Sequence, residues 1–215
     1  MATTRFEDRL QRLEDVREIE NLMAKYAYLH TAGMHEETAA LFAQKTPGVR
    51  VEISPIGRWN GPEGVYKVMV KFHKFIGVGK PGHLCVHPQT TPLIQVAGDG
   101  KTAKGVWMSP GLETRKDQDT GTFLGLWVWG HYGVDFVKEN GRWRFWHFHA
   151  YAFLATPYDQ SWTEPIDRSA LEMLPDDIKP DVPNDYYSMY TTTSEIRYLP
   201  VPPEPYETFD ENTAY

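Results

Sequence analysis

The stretch LGLWVWGHYGVDFVKENGRWRFWHFHAY, residues 124–151, decides the fold. Bulky aromatic and β-branched residues alternate with glycine and polar residues along it, which is the two-residue period of a strand. Asn140-Gly141 interrupts the pattern, and this dipeptide suits a tight hairpin turn because both positions accept positive φ. Upstream, LIQVAGDGKTAKGVWM (93–108) repeats the strand, turn, strand pattern around Gly98-Asp99-Gly100. The spacing predicts strands over Thr102–Leu112, Thr122–Lys138 and Arg142–Leu154, with Glu113–Thr120 as an exposed loop. A preceding strand, Leu84–Val96, carries Pro88 and Pro92, the mark of an edge or a bulge. His83, His87, His131, His147 and His149 lie in or beside this stretch, among Trp107, Trp127, Trp129, Trp143 and Trp146. A curved sheet with a concave, partly polar inner face is the expectation.

The flanks supply the rest. Leu10, Leu13, Val16, Ile19, Leu22, Met23, Tyr26 and Leu29 recur every three or four residues, so Phe6–His30 reads as a helix with one apolar face. Thr3 or Thr4 suits its N-cap, and Gly33 ends it. A shorter helix from His35 to about Gln44 completes a helical hairpin. GVRVEI (48–53) and Arg58-Trp59-Asn60 read as strands. Gly61-Pro62-Glu63-Gly64 starts a third helix through about Phe75, with Pro62 in the first turn. After Thr156 the texture turns to Pro, Tyr and acids, too aromatic for a plain disordered linker. The expected division is a domain over 1–155 and an extended C-terminal arm over 156–215, packed on that domain or on a neighbouring subunit.

The chain has 215 residues, 41% hydrophobic content and a formal charge of −7. That suffices for one sizeable core and argues against a nucleic-acid or anionic-membrane surface. The single cysteine, Cys85, excludes an internal disulfide and a Cys-based zinc site. The charged N-terminal stretch lacks the apolar core of a secretory signal, and no apolar run is long enough to span a bilayer. A cytoplasmic protein is expected.

An imidazole with an ordinary pKa of about 6.5 takes or gives a proton at neutral pH. A strand histidine such as His87 is otherwise a satisfied core residue, and His30 a helix C-terminal cation favoured by the helix dipole. On an alternating strand His131, Gly133 and Asp135 share one face and Tyr132 the other. His147 and His149 share a face with Phe145 and Tyr151. Their spacing suits a metal, completed by His87 or His131, but the plainer reading is a histidine row shaping a polar pocket. Trp59, Phe72, Trp107, Trp127 and Trp129, with Tyr28 and Phe75, are candidate walls for a flat aromatic ligand, although large aromatics are usually core. His73 and Lys74 read as a solvated helix face.

Four segments in order resemble the NTF2-like superfamily, specifically its SnoaL-like branch. They are EIENLMAKY (18–26), EETAALF (36–42), HPQTTPLIQV (87–96) and GRWRF (141–145). The resemblance covers about residues 10 to 150. It implies an α+β, cystatin-like cone: a curved mixed or antiparallel sheet closed by about three N-terminal helices around a cavity. Dehydratase members of this branch carry acid–base residues there and use no metal or organic cofactor. Carried over, His87 is the third-strand histidine, Tyr26 or Tyr28 the tyrosine, and His131 a second pocket residue. The helix aspartate of the family is missing, since Leu29-His30-Thr31 stands there, and His30 is its candidate replacement. The resemblance thus implies a cofactor-independent lyase acting on an aromatic small molecule, as a homodimer or homotrimer. A narrower version is a lignin-derived diarylpropane losing water and formaldehyde to give a stilbene. A non-catalytic binding or assembly module is the alternative, and an isomerase, cyclase or hydroxylase a further one.

Overall fold

The computed structural model describes residues 6–116, 120–164, 174–195 and 199–215. The expected Thr3 or Thr4 cap and the tip of the 113–120 loop therefore lie outside the described residues. Helix α1, Phe6–Thr31, buries Asp15, Ile19, Met23, Tyr26 and His30 at helical spacing. The buried stripe starts later than the apolar pattern suggests, because Leu10 and Leu13 are exposed. It starts at Asp15, whose carboxylate accepts hydrogen bonds from Lys138 Nζ at 2.6 Å and Trp143 Nε1 at 3.0 Å. Helix α2, His35–Ala39, is shorter than expected. The chain after it is drawn to the sheet instead: Ala43 N–H donates to Phe145 O and Phe145 N–H to Leu41 O.

The strands are β1 (Arg50–Ser54), β2 (Gly57–Asn60), β3 (Cys85–Val86), β4 (Thr90–Val96), β5 (Thr102–Lys116), β6 (Phe123–Glu139), β7 (Arg142–Pro157) and β8 (Val182–Pro183). They lie in the order β3-β5-β6-β7-β1-β2-β8, with β4 also on β5. The β1–β7 pairing is parallel and the others antiparallel, so the sheet is mixed. The β6–β7 turn is Asn140-Gly141, with φ of 51° and 74° as its dipeptide requires.

Two departures from regular geometry shape the interior. Between β6 and β7 the register shifts at Asp135/Phe136, so that Phe136 faces Phe145 while Asp135 faces His147. The bulge at Trp146 reverses the alternation. Phe145 and Phe148 both join the core, whereas His147 and His149 turn to the other face, contrary to the uninterrupted parity read from sequence. The third helix runs as α3 (Gly61–Tyr66), a π-helical segment (Lys67–Phe72) and α4 (His73–Phe75). The wider turn rotates His73 inward, so His73 is buried rather than solvated. Lys74 is exposed and pairs with Glu36 at 2.6 Å.

The sheet therefore has two different faces. Tyr132, Val134, Phe136, Phe145 and Phe148 meet Ile19, Met23, Tyr26 and Phe42 on the inner side. On the outer side lie His131, Asp135, His147 and His149, against which the C-terminal segments pack. Asn184 and Tyr186 reach Glu52, Leu199 O meets His131, and the Tyr215 N–H donates to Asp135, whereas Ile178 joins the inner core and its O accepts from Trp59 Nε1. Among the described residues no helix is long and apolar enough to cross a membrane.

Candidate functional site

Pro88 ends the pairing of β3, and β4 starts only at Thr90, so the expected Leu84–Val96 strand is split at His87-Pro88-Gln89. Alternation from Cys85, which pairs with Glu113, keeps His87 on the inner face. There its Nε2–H donates to Glu113 Oε1 at 3.0 Å, and both side chains are largely buried. The sequence pattern puts Glu113 at the start of a loop. Instead β5 continues to Lys116, and Glu113 pairs with Cys85. It shares the inward parity of Trp107, Ser109 and Gly111. Gly111 provides the space for the imidazole, because a Cβ there would lie 2.6 Å from His87 Nδ1. With Nε2–H held by a carboxylate, Nδ1 is the ring atom that can accept a proton.

Around this pair the helices bring further groups. His30, at the end of α1, is buried. Its Nε2 lies 3.4 Å from Cys85 Sγ, and its ring centroid lies 5.7 Å from that of His87. His30 also stacks on Tyr26 at 5.5 Å and meets His73 edge-on at 4.7 Å. His73 Nδ1–H donates to Val68 O, five residues back across the π-helical segment, and His35 lies 6.2 Å from His73. The rings of Tyr26 and Tyr132 meet edge-on with centroids 6.3 Å apart, and Gln89 Nε2 donates to His87 O.

Burial governs the protonation states. It lowers His30 well below the ordinary histidine value, with His73, His87 and His35 adding to the effect, and it lowers His73 to about 4. Burial raises the phenols of Tyr26 and Tyr132 and the thiol of Cys85. Burial alone would raise Glu113, but His87 and Arg115 hold it below its ordinary value. At neutral pH the site therefore presents an anionic carboxylate on His87, neutral imidazoles at His30 and His73, and phenols that still carry their protons. Gln89 Oε1 and Ser109 Oγ are buried on this side without a protein partner. Such atoms usually have one, so both are unmet hydrogen-bonding groups on the inner face. Beside Gln89 a cleft of about 380 Å³ opens between α1 and β4, lined by the charged Arg17 and Glu20 as well as Asn21, Met23, Pro92 and Trp107.

The structure thus brings Tyr26, His30 and His87 together, and Trp107 lines the adjoining cleft. It does not bring the other expected residues there. Tyr28 is 80% exposed, because it lies two residues from Tyr26 on another side of α1. Trp59 is fully buried and hydrogen-bonded to Ile178 O, and Phe72 packs on it at 6.1 Å. Trp127 and Trp129 are 39% and 44% exposed, and their parity places them on the outer face. His131 stacks on Phe153 there. His147 donates to Asp135, and His149 contacts Ser54 Oγ at 2.8 Å, so the supposed inward histidine row is an outward one. Sequence reasoning misses Glu113, hidden in a charged run, and also His35, His73, Cys85, Gln89 and Tyr132. For Glu113 the available signal is its parity with Trp107. For Tyr132 an inward His131 implies the wrong face, and the structure exchanges the two.

Comparison with known proteins agrees with this architecture. The SnoaL-like domain matches residues 11–149, and the fold is the NTF2-like one. A candidate scytalone dehydratase from Novosphingobium aromaticivorans superposes with a TM-score of 0.56 at 21% identity, over 74% of this chain and 97% of that one. LinA superposes with a TM-score of 0.58 at 16% identity, over 74% and 99%. The hexachlorocyclohexane dehydrochlorinase LinA-type3 from Novosphingobium barchaimii gives 0.54 at 16% identity, over 73% and 99%. No curated protein sequence matches the chain.

Proposed function

The chain belongs to the SnoaL-like domain family, and from that premise we propose that it is a lyase working by acid–base chemistry on an aromatic small molecule. The observation that carries the proposal is the buried His87–Glu113 pair on the same inner face as the Tyr26–Tyr132 pair. His87 Nδ1 takes a proton from the carbon or hydroxyl that starts the elimination, and the Glu113 carboxylate stabilises the imidazolium. Tyr26 and Tyr132, kept protonated by burial, donate hydrogen bonds to a substrate carbonyl or phenolate oxygen, where charge develops. A positioned acid or base of this kind contributes roughly 100- to 10,000-fold in rate. Neutral His30 stacks on Tyr26 and fixes its ring.

Dehydratase and dehydrochlorinase neighbours support elimination as the reaction class. The substrate favoured here is a lignin-derived diarylpropane diol that loses water and formaldehyde to leave a stilbene. Its phenolic rings suit the Trp107-walled cleft and its hydroxyls the unpaired Gln89 and Ser109 oxygens. Incubation with each stereoisomer of such a diol should produce stilbene absorbance. No change with any isomer removes this substrate. A non-catalytic ligand-binding module is the second reading, favoured by the close packing of His30 and His73. Tight binding of the diol without turnover would select it.

A further inference from the structure

The inner-face cluster has a second chemical capacity. One ring nitrogen each from His30 and His87, together with Cys85 Sγ, lie within 4.8 Å of one another. The His30 Nε2–Cys85 Sγ distance is 3.4 Å. Bond lengths of about 2.0–2.1 Å to nitrogen and 2.3 Å to sulfur place two donors of a tetrahedral zinc roughly 3.5 Å apart. The surroundings match as well. Glu113 holds the Nε2–H of His87, the carboxylate–imidazole pairing that orients metal-binding histidines. A thiolate and a carboxylate side by side also balance a dication's charge in a buried place.

Contrary to the expectation that a single cysteine rules out a zinc site, we propose that Cys85 joins two histidines, His30 and His87, in a binding site for a soft divalent cation such as Zn²⁺, with one coordination position left open. On binding, the Cys85 thiol loses its proton to solvent and forms a metal–sulfur bond, with no change of oxidation state. The ion occupies the imidazole that the proposed elimination uses, so the metal-bound form is inhibited; only this consequence rests on the lyase reading.

Cobalt(II) reads the site without any substrate. Cys85 is the single cysteine of the chain, so a sulfur-to-cobalt charge-transfer band can arise from no other cysteine. Titration of the full chain with Co²⁺ should produce that band together with the visible bands of a tetrahedral ion, and Zn²⁺ should abolish both. Cys85→Ser should lose the charge-transfer band. Glu113→Gln, which keeps all three ligands, should weaken cobalt affinity about 10- to 100-fold. Absence of the band in the unaltered protein overturns the proposal, as does its persistence in Cys85→Ser. If a turnover assay is in hand, Zn²⁺ should suppress it and a chelator restore it. A failed lyase assay leaves the cobalt spectrum as an independent readout, and activity that requires the cation contradicts the inhibitory role.

Discussion

At the scale of single residues the site depends on where each proton resides. Glu113 accepts from His87 Nε2, which leaves Nδ1 as the proposed base. Glu113→Gln retains the size but removes the charge that stabilises the imidazolium. Turnover in that variant should fall by roughly 100-fold or more, with an unchanged circular dichroism spectrum. Unchanged turnover removes Glu113 from the machinery. The buried imidazoles also predict a pH dependence of stability. His73 is lowered from 6.5 to about 4 by burial, and His30 is lowered too. Between these values the unfolded chain binds protons that the folded chain excludes, so stability falls as pH drops from 6.5 toward 4. Urea midpoints should follow that slope, and His73→Gln should flatten it. Of these residues His87, His30 and Tyr26 are legible in the sequence, because a motif or a helical spacing fixes them. Glu113 is not, since ETRKDQDT (113–120) carries the composition of a solvated loop and only pairing with β3 makes its first residues a strand.

At the scale of elements, the regular parts are legible in the sequence and the irregular ones are not. The meander follows from two-residue alternation and from Asn140-Gly141. The bulge at Trp146 and the π-helical segment at Lys67–Phe72 each shift the phase of the residues after them. Such a shift depends on packing partners distant in sequence. It is why the sequence pattern alone turns His147 and His149 inward and His73 outward. The junction between α2 and the sheet makes a separate prediction. Glu139 accepts backbone N–H groups from Gln44, Lys45 and Thr46 at 3.1, 2.9 and 2.7 Å. Burial would raise its carboxyl, but these three donors pull it down to about 2. Glu139→Ala should cost about 1–2 kcal/mol, read from urea denaturation midpoints. The carboxylate's contribution should be complete well above its ordinary pKa of 4.5 and be lost progressively as pH falls from there toward 2, because the unfolded chain takes up the proton before the folded chain does.

At the scale of the whole molecule, the two sheet faces divide the work. The inner face holds the groups proposed for proton transfer, and the outer face holds a buried ion network capped by the C-terminal segments. Asp135 accepts from Lys104, His147 and the Tyr215 N–H, Lys104 also reaches Thr213 O, and Arg50 reaches Tyr215 O. Removing the cap exposes or orphans these charges, and breaking a buried pair from one side costs several kcal/mol. A truncation at Thr156 should therefore melt well below the full chain or fail to fold. A truncated protein with an unchanged melting temperature contradicts a structural role for the arm. Catalysis is proposed to belong to the inner face and to His87. This assignment is tested most directly by comparing the turnover of His87→Ala and His131→Ala on one eliminated substrate, with circular dichroism confirming that both are folded. His131→Ala should stay near wild-type activity and His87→Ala should lose about 100-fold or more; an active His87→Ala, or an inactive but folded His131→Ala, would overturn this assignment.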